Sequence, residues 1–407
     1  MTDISISYQE NVKQGENSIV FDLKGDKENG LNKTIVNSLR RVLLSSIPCI
    51  GFRTDMKKTD IKILKNTSPL HNEYLQHRVA MLPLYIDPET YSRDLLFEIK
   101  KSADPDTPFT KITTEDFKIY PLLEGFVNEG YEIDRNKFSE TEISETKKRE
   151  IFRPFKGKYY CDITELKPSN ADTSLSEKSN NEISQELHLY GIPRESVAYE
   201  DARWQSVSMA TYSFKRDNEL FNKVLNEKIE LENISEEEKY AYGRSLEISE
   251  SERYFHRDES LEPYWYEFKI DSVHYMSSKA LFIKANEMMI EQLELIKNQL
   301  VNVSKKDDSI ISIEREQENI FTLLIHGCDD TIGSILQYDI SKNLGPGEVC
   351  GYKRVHPLDK IIMFSLSVKD DKTNEQNIMK IIEVFTESSN NLIEIYTKII
   401  EEAKKNL

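Results

Sequence analysis

The chain has 407 residues and a formal net charge of −17, with 71 acidic against 54 basic side chains. This length predicts two or three domains rather than a single core. So large an acidic excess argues against a protein whose main task is to hold a phosphate backbone over a broad basic surface.

The cysteines and the amino terminus limit the compartment and the cofactors. Cys49, Cys161, Cys328 and Cys350 are scattered without a CxxC pair, so neither a disulfide framework nor a thiolate metal site is predicted, and no cofactor is expected. The first residues are polar and acidic, unlike a secretory signal. No window approaches the ~18 consecutive apolar residues of a membrane span. We therefore expect an intracellular protein of a reducing compartment, without a membrane partner.

The first predicted elements are a strand over 16–24 and an amphipathic helix that starts at Leu31. Apolar side chains then recur every three or four residues, which gives the helix one apolar stripe. Pro48 should end this helix, because the residue before a proline is pushed out of the helical region. The stripe includes Ile35, Leu39 and Leu43.

Residues 51–213 read differently, with short β-like runs between Pro- and Asp-rich turns, and they predict an inserted β-rich domain. Within it, the Ser-, Asn- and Glu-rich stretch 169–184 predicts a mobile surface loop. Residues 214–262 predict an acidic insertion of short helices. A solvated surface explains its charge, and a site for a specific partner is the alternative.

A β-forming run then precedes a second long helix from about Ser277 to Val303, with Ser277 or Ser278 as its N-cap. Residues 304–317 resemble a charged connector. The segment 318–407 predicts a strand, a helix from Thr331, a turn, a strand and a terminal helix from about Asn374. The apolar stripes of these helices include Met289, Leu293, Ile296, Ile332, Leu336, Ile382, Phe385 and Leu392.

A faint internal repeat relates the two ends of the chain. The stretches 34–39 and 331–336 share a T-I-x-x-x-L frame, each after a strand and a turn, which indicates two related halves. Their stripes are wider than a lone helix can bury, so the helices of one half should pack against those of the other. The predicted fold is α+β: a pseudo-twofold core made of 1–50 with 263–303 and of 318–407, with the β-rich domain inserted.

Several runs of the sequence resemble a known family. The runs NSLRRVLLSSIP at 37–48, NTSPLHNEYLQHRVAMLPL at 66–84 and YEDARWQSVSMATYS at 199–213 resemble the alpha subunit of bacterial RNA polymerase. They are more similar still to the D-type subunit of archaeal polymerases and to the third-largest subunit of eukaryotic RNA polymerase II. The runs CDDTIGSILQ at 328–337 and GYKRVHPLD at 351–359 resemble the archaeal L-type subunit and its eukaryotic counterpart.

The resemblance implies a subunit of a DNA-directed RNA polymerase that has no activity of its own. In the family, the D-like and L-like dimerisation domains pair and dock the two large catalytic subunits. A small zinc-binding subunit is a further implied partner, and sequence-specific nucleic-acid binding is not expected. Having both parts on one chain resembles the arrangement in some large DNA viruses. A viral protein of this kind would act in the cytoplasm or nucleus of the host cell and could be packaged in the virion.

The resemblance also implies roles for particular side chains. Arg40 and Arg41 would face a large subunit, because a guanidinium makes bidentate hydrogen bonds to carboxylates and carbonyls at an interface. On helix geometry alone, the two arginines would simply face solvent. A second set, in the 66–84 run, would form a polar network that holds this segment against a neighbouring subunit. This set is Asn66, Glu73, His77 and Arg78.

Two other functional classes stay open on the sequence alone. Asp329, Asp330 and His356 could serve a metal-dependent hydrolase, since paired carboxylates can hold a magnesium ion. We instead expect Asp330 to cap the helix that follows, where its charge also suits the helix dipole. The family usually has a histidine at this position, so Asp330 is a departure. The third class is a regulatory protein that imitates polymerase subunits.

Overall fold

A computed structural model describes residues 4–9, 15–26, 31–55, 58–126, 132–168, 184–235, 238–303, 311–317, 320–368 and 374–407. The chain forms two compact units. Unit 1 comprises Met1–Leu44, Val207–Ser272 and Met276–Leu407, and unit 2 comprises Ser45–Ser206 and Val273–Tyr275. Most of the predicted mobile loop and the first half of the predicted connector lie outside the described residues.

The elements follow the chain in this order. The strands are β1 Ser5–Tyr8, β2 Ser18–Lys24, β3 Pro48–Gly51, β4 Thr54–Asp55, β5 Lys58–Thr59, β6 Ile61–Asn66, β7 Leu95–Ser102, β8 Thr110–Thr113, β9 Lys118–Pro121, β10 Asp162–Leu166, β11 Glu186–Gly191, β12 Arg194–Val197, β13 Val207–Phe214, β14 Trp265–Ser272, β15 Ile311–Gln317, β16 Ile320–His326, β17 Val349–Arg354 and β18 Ile361–Ser367. The α-helices are α1 Lys33–Ser45, α2 Asn72–Ala80, α3 Glu145–Ile151, α4 Asn218–Leu231, α5 Lys239–Glu250, α6 Ser278–Val303, α7 Asp330–Asn343 and α8 Asn374–Asn406. This mixture of helices and antiparallel sheets agrees with the predicted α+β class.

Unit 1 contains two four-stranded antiparallel sheets with the same internal arrangement. One has the strand order β1-β2-β14-β13 and the other β15-β16-β18-β17. In each, the first two strands lead into a helix, α1 or α7, and the last strand, β14 or β18, leads into a long helix, α6 or α8. The second sheet is therefore built in the same order of strands and helices as the first.

The long helices of unit 1 bury the apolar stripes that the sequence predicted. Helix α6 packs along α8, which also contacts α7 and β1. The predicted stripe residues Ile35, Leu39, Leu43, Met289, Leu293, Ile296, Ile332, Leu336, Phe385 and Leu392 are buried, and Ile382 is half-buried. Removing this area from water is the main stabilising term for such a core.

Helices α1 and α7 begin in the same way, and this corrects one prediction. Asn32 Oδ1 accepts a hydrogen bond of 2.7 Å from the Thr34 backbone N–H, and Asp329 Oδ1 accepts one of 2.9 Å from that of Thr331. Asp329 is thus the N-cap of α7, whereas Asp330, which we expected in that role, is its first helical residue. The N-cap residue lies one position before the first helical residue and has extended backbone angles. Asp329 meets both conditions.

Unit 2 is built around the sheet β6-β11-β7-β9, with smaller two-stranded pairs beside it. Its core includes Phe97, Phe117 and Phe152, whose rings stack or meet edge to face with centroids 5.2 to 6.1 Å apart. Such aromatic pairs add to the stabilisation from burial alone. Unit 2 therefore has a core of its own.

The boundaries of the units differ from the predicted domains at two strands. We placed residues up to 50 in the pseudo-twofold core, but β3 belongs to unit 2. We placed residues 207–213 in the inserted β-rich segment, but β13 pairs with β14 and belongs to unit 1. The acidic stretch 214–262 forms α4 and α5, between β13 and β14. Helix α1 ends at Ser45, slightly before the predicted stop at Pro48. None of the helices in the described ranges has the length and hydropathy that crossing a membrane requires.

Candidate protein-interaction site

The arginine pair of α1 makes contacts within unit 1. Arg40 donates from Nε to Asn37 Oδ1 over 2.9 Å. Arg41 Nη2 lies 3.7 Å from Asp329 Oδ2 at the start of α7, and the Arg41 side chain is 40% exposed. Part of the Arg41 guanidinium therefore faces the second sheet-and-helix half, and part remains open to solvent.

A second contact mirrors this ion pair. Tyr338 occupies the position in the α7 repeat that Arg41 occupies in α1, since both come seven residues after the threonine of the shared frame. Burial raises the pKa of Tyr338, and a hydrogen bond with the Asn32 side chain opposes that rise. Arg41 thus pairs with the N-cap of α7, and the environment of Tyr338 includes the N-cap of α1.

The carboxylates considered for metal chemistry have structural partners. Besides capping α7, Asp329 pairs with Arg41, and Asp330 Oδ2 lies 3.6 Å from Arg354 Nη1. The His356 ring is exposed, and its Nδ1 accepts a hydrogen bond from the Leu358 backbone N–H. Within the described ranges, no three His, Cys, Asp or Glu side chains converge on a possible metal position. The hydrolase hypothesis gains no support from this arrangement.

In unit 2, two of the four predicted network residues hold the 66–84 segment in place. Asn66 Oδ1 accepts hydrogen bonds from the Ser68 backbone N–H and hydroxyl, and Asn66 Nδ2 donates to the Leu70 carbonyl over 2.7 Å. Arg78 donates from Nε to the Ile163 carbonyl over 2.7 Å, which ties α2 to β10. Both side chains therefore fix the local fold rather than pointing away from it.

The other two network residues, Glu73 and His77, lie on an exposed face of α2. Tyr74 and Met81 share that face, with 51% and 66% of their surface exposed. Tyr74, His77 and the C-cap residue Met81 are spaced by three and four residues, so they lie on one side of the helix, and Glu73 is next to Tyr74 at its edge. Sequence reasoning missed Tyr74 and Met81, because apolar side chains at helical spacing are normally read as core. An exposed aromatic and a methionine beside polar groups are typical of protein-binding surfaces.

The loop before β13 adds charge near this helix. Arg203 donates from Nε to Asp201 Oδ1 over 3.0 Å and from Nη1 to Thr54 Oγ1 over 2.6 Å. The hydrogen bond from Arg203 lowers the pKa of Asp201, and His77 contributes a smaller effect in the same direction. Asp201 is therefore ionised at neutral pH and adds a negative charge to the surface near α2.

The exposed face of α2 is suited to binding another protein. The proteins that this chain resembles are subunits of multisubunit enzymes. It is 28% identical over 124 residues to DNA-directed RNA polymerases I and III subunit rpac1 of Dictyostelium discoideum, covering 26% of this chain and 33% of that protein. It is 20% identical over 304 residues to DNA-directed RNA polymerases II, IV and V subunit 3 of Arabidopsis thaliana, covering 68% and 85%. It is 25% identical over 227 residues to DNA-directed RNA polymerase subunit Rpo3 of Pyrococcus horikoshii, covering 50% and 83%.

These similarities are low and uneven along the chain. The matched segment spans about a third of the Dictyostelium protein and 26% of the human RNA polymerases I and III subunit RPAC1. No family model matches the sequence. These four relatives are nevertheless subunits of DNA-directed RNA polymerases, the class that the sequence motifs indicated.

Proposed function

We propose that this chain is a non-catalytic assembly subunit of a DNA-directed RNA polymerase, in which one polypeptide supplies both the D-like and the L-like half. The ion pair of Arg41 with Asp329 and the buried hydrogen bond between Ser38 and Tyr396, both of which join the two halves, carry this proposal. Two subunits related by a twofold axis would likewise be joined through the helices that follow their first strands. The matching strand orders of the two sheets support the same pseudo-twofold arrangement.

Joining the halves in one chain has a physical advantage for such a subunit. A tether turns the pairing of two partners into an intramolecular event with a high effective concentration. A free L-like partner would then be unnecessary. We include in the proposal an origin in a large DNA virus, since the fused arrangement resembles that of some such viruses, with a site of action in the host cytoplasm or nucleus.

The proposed partners are the two large catalytic subunits and a small zinc-binding subunit. The exposed α2 face, with Tyr74, Met81, Glu73 and His77, is our proposed contact with a large subunit. Aromatic and methionine side chains fill pockets on a partner, while the flanking polar groups fix the orientation. Arg40 and the solvent-exposed part of Arg41 are a second proposed contact.

Affinity purification of the tagged chain from cells that make the complete polymerase tests the proposal. We expect both large subunits in stoichiometric amounts, together with RNA synthesis activity, and a marked loss of one large subunit when Tyr74 and Met81 are both replaced by alanine. The matched control is Tyr240→Ala with Ile248→Ala, because these α5 side chains are 78% and 79% exposed. That control should retain both large subunits.

Two results would contradict the proposal. Purification of active polymerase without this chain would identify it as a regulatory mimic rather than a core subunit. Equal recruitment of the large subunits by the α2 variant and by the α5 control would remove α2 from the interface.

A further inference from the structure

Unit 2 carries a compact basic segment that the assembly role does not use. Residues 147–158 contain six basic side chains and one acidic side chain, in a chain whose net charge is −17. Two aromatic residues in and beside this segment are unusually exposed: Phe155 at 68% and Tyr159 at 65%. Large apolar rings on a solvent-facing surface with a local excess of positive charge need an explanation beyond folding.

The two aromatic residues face each other across a tight hairpin. The Phe155 N–H donates to the Tyr159 carbonyl over 2.8 Å, and the Tyr159 N–H donates to the Phe155 carbonyl over 3.0 Å. Residues that exchange both hydrogen bonds in an antiparallel pair have their side chains on the same face, with Cα atoms about 5.5 Å apart. Phe155 and Tyr159 therefore form a two-ring surface on one side of the 155–159 hairpin.

The turn of the hairpin holds its lysines beside these rings. Lys156 and Gly157 both have positive φ, at 51° and 72°, and the Lys158 N–H donates to the Phe155 carbonyl over 3.2 Å. Positive φ at both central residues is the pattern of a type I′ turn. A lysine in this region is strained, and such strain is usually retained for a functional reason. Lys156 Nζ lies 5.4 Å from the centre of the Phe155 ring.

The base of the hairpin is anchored through Arg153. The Arg153 guanidinium lies 4.4 Å from the centre of the Tyr85 ring and donates to the Tyr275 carbonyl over 3.4 Å. Arg149, on α3, lines an open groove of about 490 Å³ together with Arg153. Glu145 and Glu150 also line this groove, so the positive charge is concentrated at the hairpin rather than spread evenly.

We infer that the 155–159 hairpin is a binding site for single-stranded nucleic acid, without sequence preference. Exposed aromatic rings stack on unpaired bases, and adjacent lysines and arginines contact the phosphates. Duplex DNA hides the faces of its bases, and an acidic protein segment would gain little from the two rings. The inference rests on the hairpin's own residues and would stand if the polymerase role were disproved.

Fluorescence anisotropy of labelled oligo(dT) with the purified full chain, at rising KCl concentrations, tests the inference. We expect salt-sensitive binding that is stronger than for a duplex of the same length. Phe155→Ala with Tyr159→Ala should weaken it by about tenfold or more. The leucine versions of both substitutions should weaken it similarly, because leucine keeps the apolar area but lacks the aromatic face.

The charged side chains are tested separately. Lys156→Glu with Lys158→Glu should lower the affinity and reduce the slope of log affinity against log salt by roughly 1.4, about 0.7 for each phosphate that is no longer neutralised. Lys223→Glu with Lys353→Glu is the control, because both lysines are exposed and the net charge changes equally. The inference is overturned by absence of binding, by an equal effect of this control, or by a glutamate-rich peptide that competes fully while the alanine variants bind normally. Thermal unfolding should be unchanged in every variant, since these side chains are exposed.

Discussion

Ser38 Oγ on α1 lies 2.6 Å from the Tyr396 hydroxyl on α8, and both residues are buried. The Ser38 hydroxyl also donates to the Ile35 carbonyl over 2.6 Å, so Tyr396 donates the hydrogen bond between the two side chains. A helix of the first half is thereby linked by a specific polar contact to the last helix of the second.

Removing the Tyr396 hydroxyl should weaken unit 1. We expect Tyr396→Phe to reduce the free energy of unfolding by about 1 kcal/mol, because one buried hydrogen bond is removed and Ser38 loses a partner. Urea denaturation followed by fluorescence measures the change. Ser38→Ala combined with Tyr396→Phe should cost less than the sum of the two single changes, since they remove the same bond. Strict additivity would show that the contact contributes nothing, and Tyr240→Phe on exposed α5 is the control.

Capping of α7 should depend on Asp329 and not on Asp330. Asp329→Ala removes the acceptor for the Thr331 N–H and the partner of Arg41, and should cost about 1 kcal/mol of stability. Asp329→Asn keeps a good cap and should lie close to the native chain. Asp330→Ala should cost less stability than Asp329→Ala, because the ion pair that it removes, between Asp330 and Arg354, is partly exposed. The melting temperatures of the three variants measure this order. A lower melting temperature for Asp330→Ala than for Asp329→Ala would refute it.

Gly333 should not tolerate a methyl group, although alanine normally favours a helix. A Cβ at this position would lie 2.6 Å from Cδ2 of the Tyr352 ring, whereas a Cβ at Gly351 would meet nothing within 4 Å. We expect Gly333→Ala to destabilise the chain by about 1 to 3 kcal/mol through overpacking, more than offsetting the gain in helix propensity. Gly351→Ala is the control, and differential scanning calorimetry compares the two. A melting temperature for Gly333→Ala at or above the native value would contradict the packing described.

Acidification should destabilise unit 2 through His274. Burial lowers the pKa of His274 to about 4, and a hydrogen bond with the Pro48 carbonyl only partly opposes this. The unfolded state, with an ordinary histidine pKa of about 6.5, then binds protons more readily than the folded state between these values. The free energy of unfolding should therefore fall by about 2 kcal/mol between pH 7.5 and pH 5 from this residue alone.

His274→Gln isolates that contribution, since glutamine can still donate to the Pro48 carbonyl but does not titrate. Urea denaturation at both pH values should show a smaller fall for this variant than for the native chain. His326→Gln, at an exposed position, should behave like the native chain. An identical pH dependence in all three proteins would exclude His274 as a cause.

The sequence predicted best where the pattern is local and repeated. Helices α6 and α8 begin within one residue of the predicted starts, because an apolar stripe with a three-to-four residue period fixes both the element and its buried face. The apolar residues of the stripe in α1 were equally clear. These predictions needed no knowledge of the partner helix, only that one exists.

The candidate site was less predictable, because its features depend on residues distant in the chain. Arg41 points towards Asp329, and Arg78 donates to β10, which no local pattern of charges could indicate. Tyr74 and Met81 occupy core-like spacing and yet are exposed, since no other part of unit 2 covers that side of α2 within the described residues. Local periodicity gives the face of a helix but not what covers it.

The connections between equivalent strands have very different lengths. Residues 355–360 join β17 to β18 by a short turn, whereas residues 215–264 join β13 to β14 and include α4 and α5. If the two sheets had identical connections, unit 1 would carry two identical surfaces, and each would bind the same partner. Unequal connections break that equivalence, so the two sheets of unit 1 expose different surfaces.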